Sequence, residues 1–255
     1  MQKIIYFLLS SLIVFSACSS NKQQTLTIAA AANTQYAMGE IKTAFETQFG
    51  QEITLIFGSS GKLTAQILES APYDVFISAD LKYPQSIYDQ GFAVGDPGVY
   101  AQGALVLWTL NPNLTPDAGL EVLLSEKVKK IAMANPQTAP YGVATEELLR
   151  NVGIYDQVAR KLVFGESISQ TNQYLTTHAA EIGFTAKSVV LSKELQGKGQ
   201  WIDLDLNQYR AIDQGVVLLK KGVERHGALA KQFYEFLFSD TARKIFEKYG
   251  YLMPK

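Results

Sequence analysis

Apolar positions recur along the chain in two alternating rhythms. Residues 25–30, TLTIAA, alternate with the period of two expected of a strand. Beyond Asn33, the residues Ala37, Ile41, Phe45 and Phe49 recur four apart and trace one apolar helical stripe, which Gly50 ends. Residues 53–57, ITLIF, predict a second strand, and GSSG follows at 58–61. Leu63, Ile67 and Leu68 begin a second amphipathic helix, and residues 73–78, YDVFIS, predict a third strand. Strand, helix, strand, helix, strand is the signature of a parallel α/β sheet.

The rhythm resumes further on. Residues 104–110, ALVLWTL, predict a hydrophobic strand, and 111–119 form a loop rich in turn formers. A short strand at 131–134 precedes NPQTAPYG (135–142) and a helix to about Asn151. Residues 161–164 are strand-like, GES (165–167) precedes a helix through His178, and IGFTA (182–186) is another strand. VVLL (216–219) reads as a buried strand before two C-terminal helices, the first with Phe233, Phe236 and Leu237 on its apolar side. Two α/β units of about a hundred residues each fit the length.

The first residues follow neither rhythm. Lys3 precedes an apolar run at 4–15, then Ser-Ala-Cys at 16–18. This is the pattern of a secretory signal, and the run is too short to span a bilayer, which takes about 20 residues. Cys18 is the sole cysteine, so it forms no intramolecular disulfide. Its setting resembles a bacterial lipobox, with Phe15 where Leu is usual, and implies lipidation at Cys18. The alternative is an ordinary cleaved signal. SSNKQQ (19–24) is then a polar tether, and the folded part begins near Thr25.

Composition narrows the chemistry. The formal net charge is −1, which leaves no broad basic field for nucleic acid, so any anion must be held locally. Small or hydroxylated residues run straight into helices at 29–35, 58–63, 135–144 and 165–170. Pro140 suits a first helical position, and Asn33 and Ser167 suit caps. Helix starts at the carboxyl ends of strands present free N–H groups and partial positive charge, a ready anion site. Ser and Asn are also simply good caps, and that reading stands beside the first.

Nucleophilic chemistry fits less well. The nucleophile elbow fails because position 62 is Lys, and the phosphate-binding loop fails because Ile56 and Leu63 occupy its ends. Ser59 and Lys62 match S-x-x-K of penicillin-recognising enzymes, without the accompanying S-D-N or K-T-G. His178 and His226 read as solvent-facing helix residues and form no metal cluster with Cys18. Asp74, Asp80 and Asp96 show no local pairing, and Asp80 reads as a cap or surface group. Lys62, in a first helical turn, opposes the dipole and points either at an anion or into solvent. Trp108, Tyr249 and Tyr251 read as packing.

AAAAN (29–33), FGSSGKL (57–63), APYDVFISAD (71–80), NPQTAPYG (135–142), ESISQ (166–170), EIGF (181–184) and KYGYLMP (248–254) stand in one order and spacing. Over about Leu26 to Pro254 the chain resembles the molybdate-binding components of bacterial molybdate ABC importers. The resemblance implies an α/β, two-lobed type II periplasmic binding protein fold, each lobe a mostly parallel sheet flanked by helices. Lobe 1 would be residues 25–100 plus 211–255, and lobe 2 residues 101–210. It implies an oxyanion, molybdate or tungstate, in the cleft, bound by Asn33 and Ser60 from one lobe and by Tyr141 and the backbone of Ile168 from the other. Ala32, Ser59 and Ser167 flank them. Molybdenum would be present only inside the oxyanion, with no cofactor and no catalysis. The partner would be a membrane permease, and the protein an extracytoplasmic, lipid-anchored monomer. Many members carry Ser at the place of Asn33 and Tyr at the place of Ala186; this chain looks like the variant in which Tyr141 supplies the phenol. The alternatives are sulfate or phosphate in the same fold, or a serine acyl enzyme on Ser59 and Lys62.

Overall fold

The computed structural model describes residues 25–254. The signal, the tether and Cys18 therefore lie outside the described residues. In chain order the strands are β1 (Leu26–Ala31), β2 (Ile53–Gly58), β3 (Val75–Ile77), β4 (Ala93–Gly103), β5 (Leu105–Thr109), β6 (Ile131–Ala134), β7 (Leu162–Gly165), β8 (Ile182–Ala186), β9 (Gln200–Asp203) and β10 (Ile212–Leu219). The helices are α1 (Gln35–Phe49), α2 (Ser60–Leu68), α3 (Lys82–Asp89), α4 (Pro140–Asn151), α5 (Tyr155–Val158), α6 (Ile168–Thr176), α7 (Lys187–Val190), α8 (Lys220–Phe236) and α9 (Asp240–Lys248).

The strands form two five-stranded sheets, in the orders β2-β1-β3-β10-β4 and β7-β6-β8-β5-β9. Each has a parallel core, β2-β1-β3 and β7-β6-β8, as the opening rhythm predicts. The remaining neighbours pair antiparallel, so both sheets are mixed. Only Ala104 separates β4 from β5, so one extended run passes from the first sheet to the second, and β10 completes the first sheet on the return.

The α1 stripe packs as its spacing requires. Ala37, Ile41 and Phe45 are buried, and the Phe45 ring meets Phe233 edge-on at 5.1 Å between centroids. Gly50 ends the helix with φ +64°, a conformation that costs glycine little.

Five elements escape the periodicity, among them α5 and α7, which at four residues each are too short to show a helical repeat. Gly95, Pro97 and Gly98 make β4 read as turn; as an edge strand it tolerates them. Pro84 interrupts the helical pattern of α3 but sits in its first turn, where a missing N–H costs nothing. β9 is short and edge-placed, just after Gly197 and Gly199.

The structure overturns the solvent-facing reading of His226, through a carboxylate with no local partner. Asp74 is fully buried and paired: it accepts from the Thr27 N–H at 2.6 Å and from Arg225 at 2.6 Å, and faces His226 Nδ1 at 3.0 Å. His226 is accordingly packed against the first sheet rather than solvent-facing. A carboxylate taken out of water needs such partners. His178 is exposed, in the left-handed conformation just beyond α6.

Candidate functional site

Four helical starts converge between the sheets: the tight turn Ala32–Thr34 after β1, α2 after β2, α4 after β6 and α6 after β7. All stand at the carboxyl ends of parallel strands, where this class of sheet leaves its crevice. They line a small cavity of about 10 Å³, walled by Ala31, Ala32, Asn33, Gly58, Ser59, Ser60, Ala79, Ala139, Pro140, Tyr141 and Ile168. That is far below the roughly 300 Å³ where drug-sized pockets begin, so the space excludes any ligand larger than a few atoms. A larger hollow beside Glu146, Arg150, Tyr155 and Phe164 is a surface groove in which Arg150 already pairs with Glu146 at 2.6 Å.

The lining offers donors and no charged side chain. Ser59 caps α2, its Oγ accepting from the Lys62 N–H at 3.3 Å, and Ser167 caps α6 by accepting from the Gln170 N–H at 3.4 Å. Ser60 differs. Its Oγ accepts from the Ala79 N–H at 3.0 Å, which uses one lone pair, fixes the oxygen in place and leaves the hydroxyl proton free to donate. The N–H groups of Ser60, Tyr141 and Ile168 fall in first helical turns, where no intrahelical acceptor exists. The Tyr141 side chain is buried, and burial pushes its phenol well above the ordinary tyrosine range, reinforced by Tyr251, Tyr209 and Tyr100 and opposed by the Asn33 amide. Tyr141 is thus an O–H donor at any physiological pH.

Asn33 does not cap α1. Thr34 holds that position, and the Asn33 Nδ2 instead donates to Gln214 Oε1 at 2.7 Å and to the Tyr251 hydroxyl at 3.1 Å. With both amide N–H bonds engaged, the donor Asn33 has left to offer is its backbone N–H, at the start of its turn. Of the residues singled out from sequence, Ala32, Asn33, Ser59, Ser60, Tyr141 and Ile168 line this one space, and Ser167 stands one residue outside it. Ala79 and Gln214 escape the sequence reading. Their signal was present in Gln214, a lone amide in the buried run VVLL's own strand, which must find partners. Ala186, at the end of β8, is buried and brings no phenol.

The two sides of the cleft touch. The Gly61 N–H donates to the Thr138 carbonyl at 2.9 Å, Tyr83 Oη to the Gln137 carbonyl at 3.4 Å, and Ser169 Oγ to Gln35 Oε1 at 3.1 Å. Lys62 turns away from the cavity: its side chain is half-exposed to solvent, and its Nζ lies 3.0 Å from Glu166 across the mouth. This removes the serine acyl enzyme, because the lysine is drawn away and the Ser59 oxygen serves as a helix cap. An exposed pair of this kind contributes at most about 1 kcal/mol. Lys62→Ala is therefore expected to change anion affinity by less than about fivefold, with the difference vanishing at high salt. A larger loss in a calorimetric titration would place Lys62 in the site after all.

Residues 26–252 match the family of bacterial extracellular solute-binding proteins. The chain is 39% identical to the molybdate-binding protein ModA of Rhodobacter capsulatus over 225 residues, covering 88% of this chain and 86% of that one. It is 35% identical to ModA of Azotobacter vinelandii, covering 92% of each. The structure of the Azotobacter vinelandii periplasmic molybdate-binding protein superposes with a TM-score of 0.85 at 33% identity, over 90% of this chain and 100% of that one.

Proposed function

We propose that this chain, which belongs to the family of bacterial extracellular solute-binding proteins, binds molybdate between its two sheets and delivers it to the permease of an ABC importer. It is a binding protein and not an enzyme. The observation that carries the substrate is the lining: convergent N–H and O–H donors, with no charged side chain. A fully deprotonated oxyanion accepts at every oxygen and matches a shell made only of donors. Hydrogen phosphate carries a proton that needs an acceptor. Sulfate has shorter bonds, and donors fixed on separate helix starts fall short of it. Tungstate has the shape and charge of molybdate and binds alike.

In this reading the Ser60 hydroxyl and N–H and the Asn33 N–H hold the anion from one side, and Tyr141 and the Ile168 N–H from the other. Ala32, Ser59 and Ser167 support them. Helix starts supply positive potential in place of a cation. No cofactor takes part, and molybdenum is met only through its oxygens. Residues 25–100 with 211–255 move against 101–210, and closure buries the ion and shapes the surface the permease meets. The lipobox pattern at Cys18 supports attachment of a monomer to the outer face of the cytoplasmic membrane.

A thermal-shift panel tests the substrate. At a hundred times its dissociation constant a ligand adds about 2.7 kcal/mol, which for a protein of this size raises Tm by about 5–10 °C. Molybdate and tungstate are expected to do so, and sulfate and phosphate at equal concentration are not. An equal shift with sulfate would overturn the assignment.

A further inference from the structure

Asn33 stands where four parts of the chain meet. Its amide Nδ2 donates to Gln214 on β10 and to Tyr251 in the C-terminal segment. Its carbonyl accepts from the Tyr251 hydroxyl at 3.0 Å and from Ser188 Oγ, on α7, at 2.7 Å. All of these residues are buried. Gln214 is itself fixed, because its Nε2 donates to the Ile212 carbonyl at 2.9 Å and to the Ala79 carbonyl at 3.4 Å. That sets the orientation of its amide and turns Oε1 towards Asn33. Ala79 in turn supplies the N–H that orients the Ser60 hydroxyl. Tyr251 closes a ring with Asn33, accepting from its amide and donating to its carbonyl.

Both N–H bonds of the Asn33 amide and its backbone carbonyl are engaged, and every partner is buried, a setting in which hydrogen bonds hold a group in one orientation. Stability alone does not call for it, since an apolar pair of the same shape packs with little or no loss. The feature the network does explain is the aim of one turn. We propose that Gln214 and Tyr251 are positioning residues of the anion site: by holding the Asn33 amide, they fix the direction in which the Ala32–Asn33 turn presents its free N–H groups. The inference rests on the anion-binding reading above, and adds that discrimination by size depends on residues outside the cavity lining.

The test is a pair of double-mutant cycles read by calorimetry with sodium molybdate and sodium sulfate. The proteins are the unmutated chain, Gln214→Met, Tyr251→Phe, Asn33→Ala and the two doubles with Asn33→Ala. Each single substitution at 214 or 251 is expected to weaken molybdate binding by about tenfold, the fold-change of one lost buried hydrogen bond, and to lower the molybdate-to-sulfate affinity ratio. In the Asn33→Ala background the same substitutions are expected to change affinity by less than about twofold, because they act through that amide. A purely structural role lowers Tm but leaves the losses multiplicative and the ratio unchanged, and either result overturns the proposal. Tyr251→Phe removes a single oxygen and carries the test where Gln214→Met does not fold. An unmutated chain that gives no heat with molybdate sinks the binding reading, whereas one that binds while Tyr251→Phe binds equally well sinks the positioning role alone.

Discussion

Ser60→Ala is expected to weaken molybdate binding by about 10- to 150-fold, the equivalent of about 1.5–3 kcal/mol for a hydrogen bond to a charged group. The Ser60 oxygen is held by the Ala79 N–H that it accepts, and its hydroxyl proton has no protein partner among the described residues and is free to donate to an anion in the cavity. Alanine removes that donor where no water can replace it. It also orphans the buried Ala79 N–H, which costs stability by about 1–3 kcal/mol even without ligand. The two effects separate experimentally, since calorimetry reads the affinity and denaturant unfolding of the ligand-free protein reads the stability. Full affinity in the variant would remove Ser60 from the site.

Gly61→Val is expected to act through closure rather than through a donor. A Cβ at Gly61 lies 2.8 Å from Tyr83 Oη, 3.0 Å from the Thr138 carbonyl oxygen and 3.1 Å from Thr138 Cα. Thr138 belongs to the opposite wall of the cleft, and its carbonyl accepts the Gly61 N–H at 2.9 Å. The start of α2 can approach that backbone only because residue 61 has no side chain. Overpacking of this sort costs about 1–3 kcal/mol, here only in the closed form. The closed fraction falls accordingly, and apparent affinity falls with it by about 5- to 150-fold. Small-angle scattering should show that molybdate no longer compacts the variant, whereas Ser60→Ala should still compact at saturating ligand. Normal affinity with normal compaction would mean that the cleft does not close on this contact.

The parts legible in the sequence are those set by neighbouring residues. The strands β1, β2 and β3 and the α1 stripe follow from periodicity, and Gly50, Ser59, Ser167 and Pro140 take the terminal positions their chemistry favours. The GSSG junction and the three helix starts like it are likewise local. Illegible parts depend on residues far along the chain. Asn33 looks like a cap, yet its amide finds partners 181 and 218 residues away. Lys62 opposes the dipole of its own helix, and the structure resolves the conflict by pairing it with Glu166 from the other side of the cleft. Asp74 shows no local partner and His226 reads as solvent-facing until α8 packs on β1 and β3 and brings the two within 3.0 Å. The insertion of β10 between β3 and β4 is a long-range pairing that no local rhythm encodes. The membership of β4 was hidden by Gly95 and Pro97, residues that only an edge strand accepts.

Molybdate binding as proposed requires that a shell of neutral donors select a dianionic oxyanion of one size. Its most direct test is a calorimetric titration of the chain with sodium molybdate, repeated in a large excess of sodium sulfate. The expected result is one molybdate per chain and an affinity that the sulfate leaves unchanged. No heat with molybdate, or an affinity that drops in proportion to the sulfate present, would contradict it.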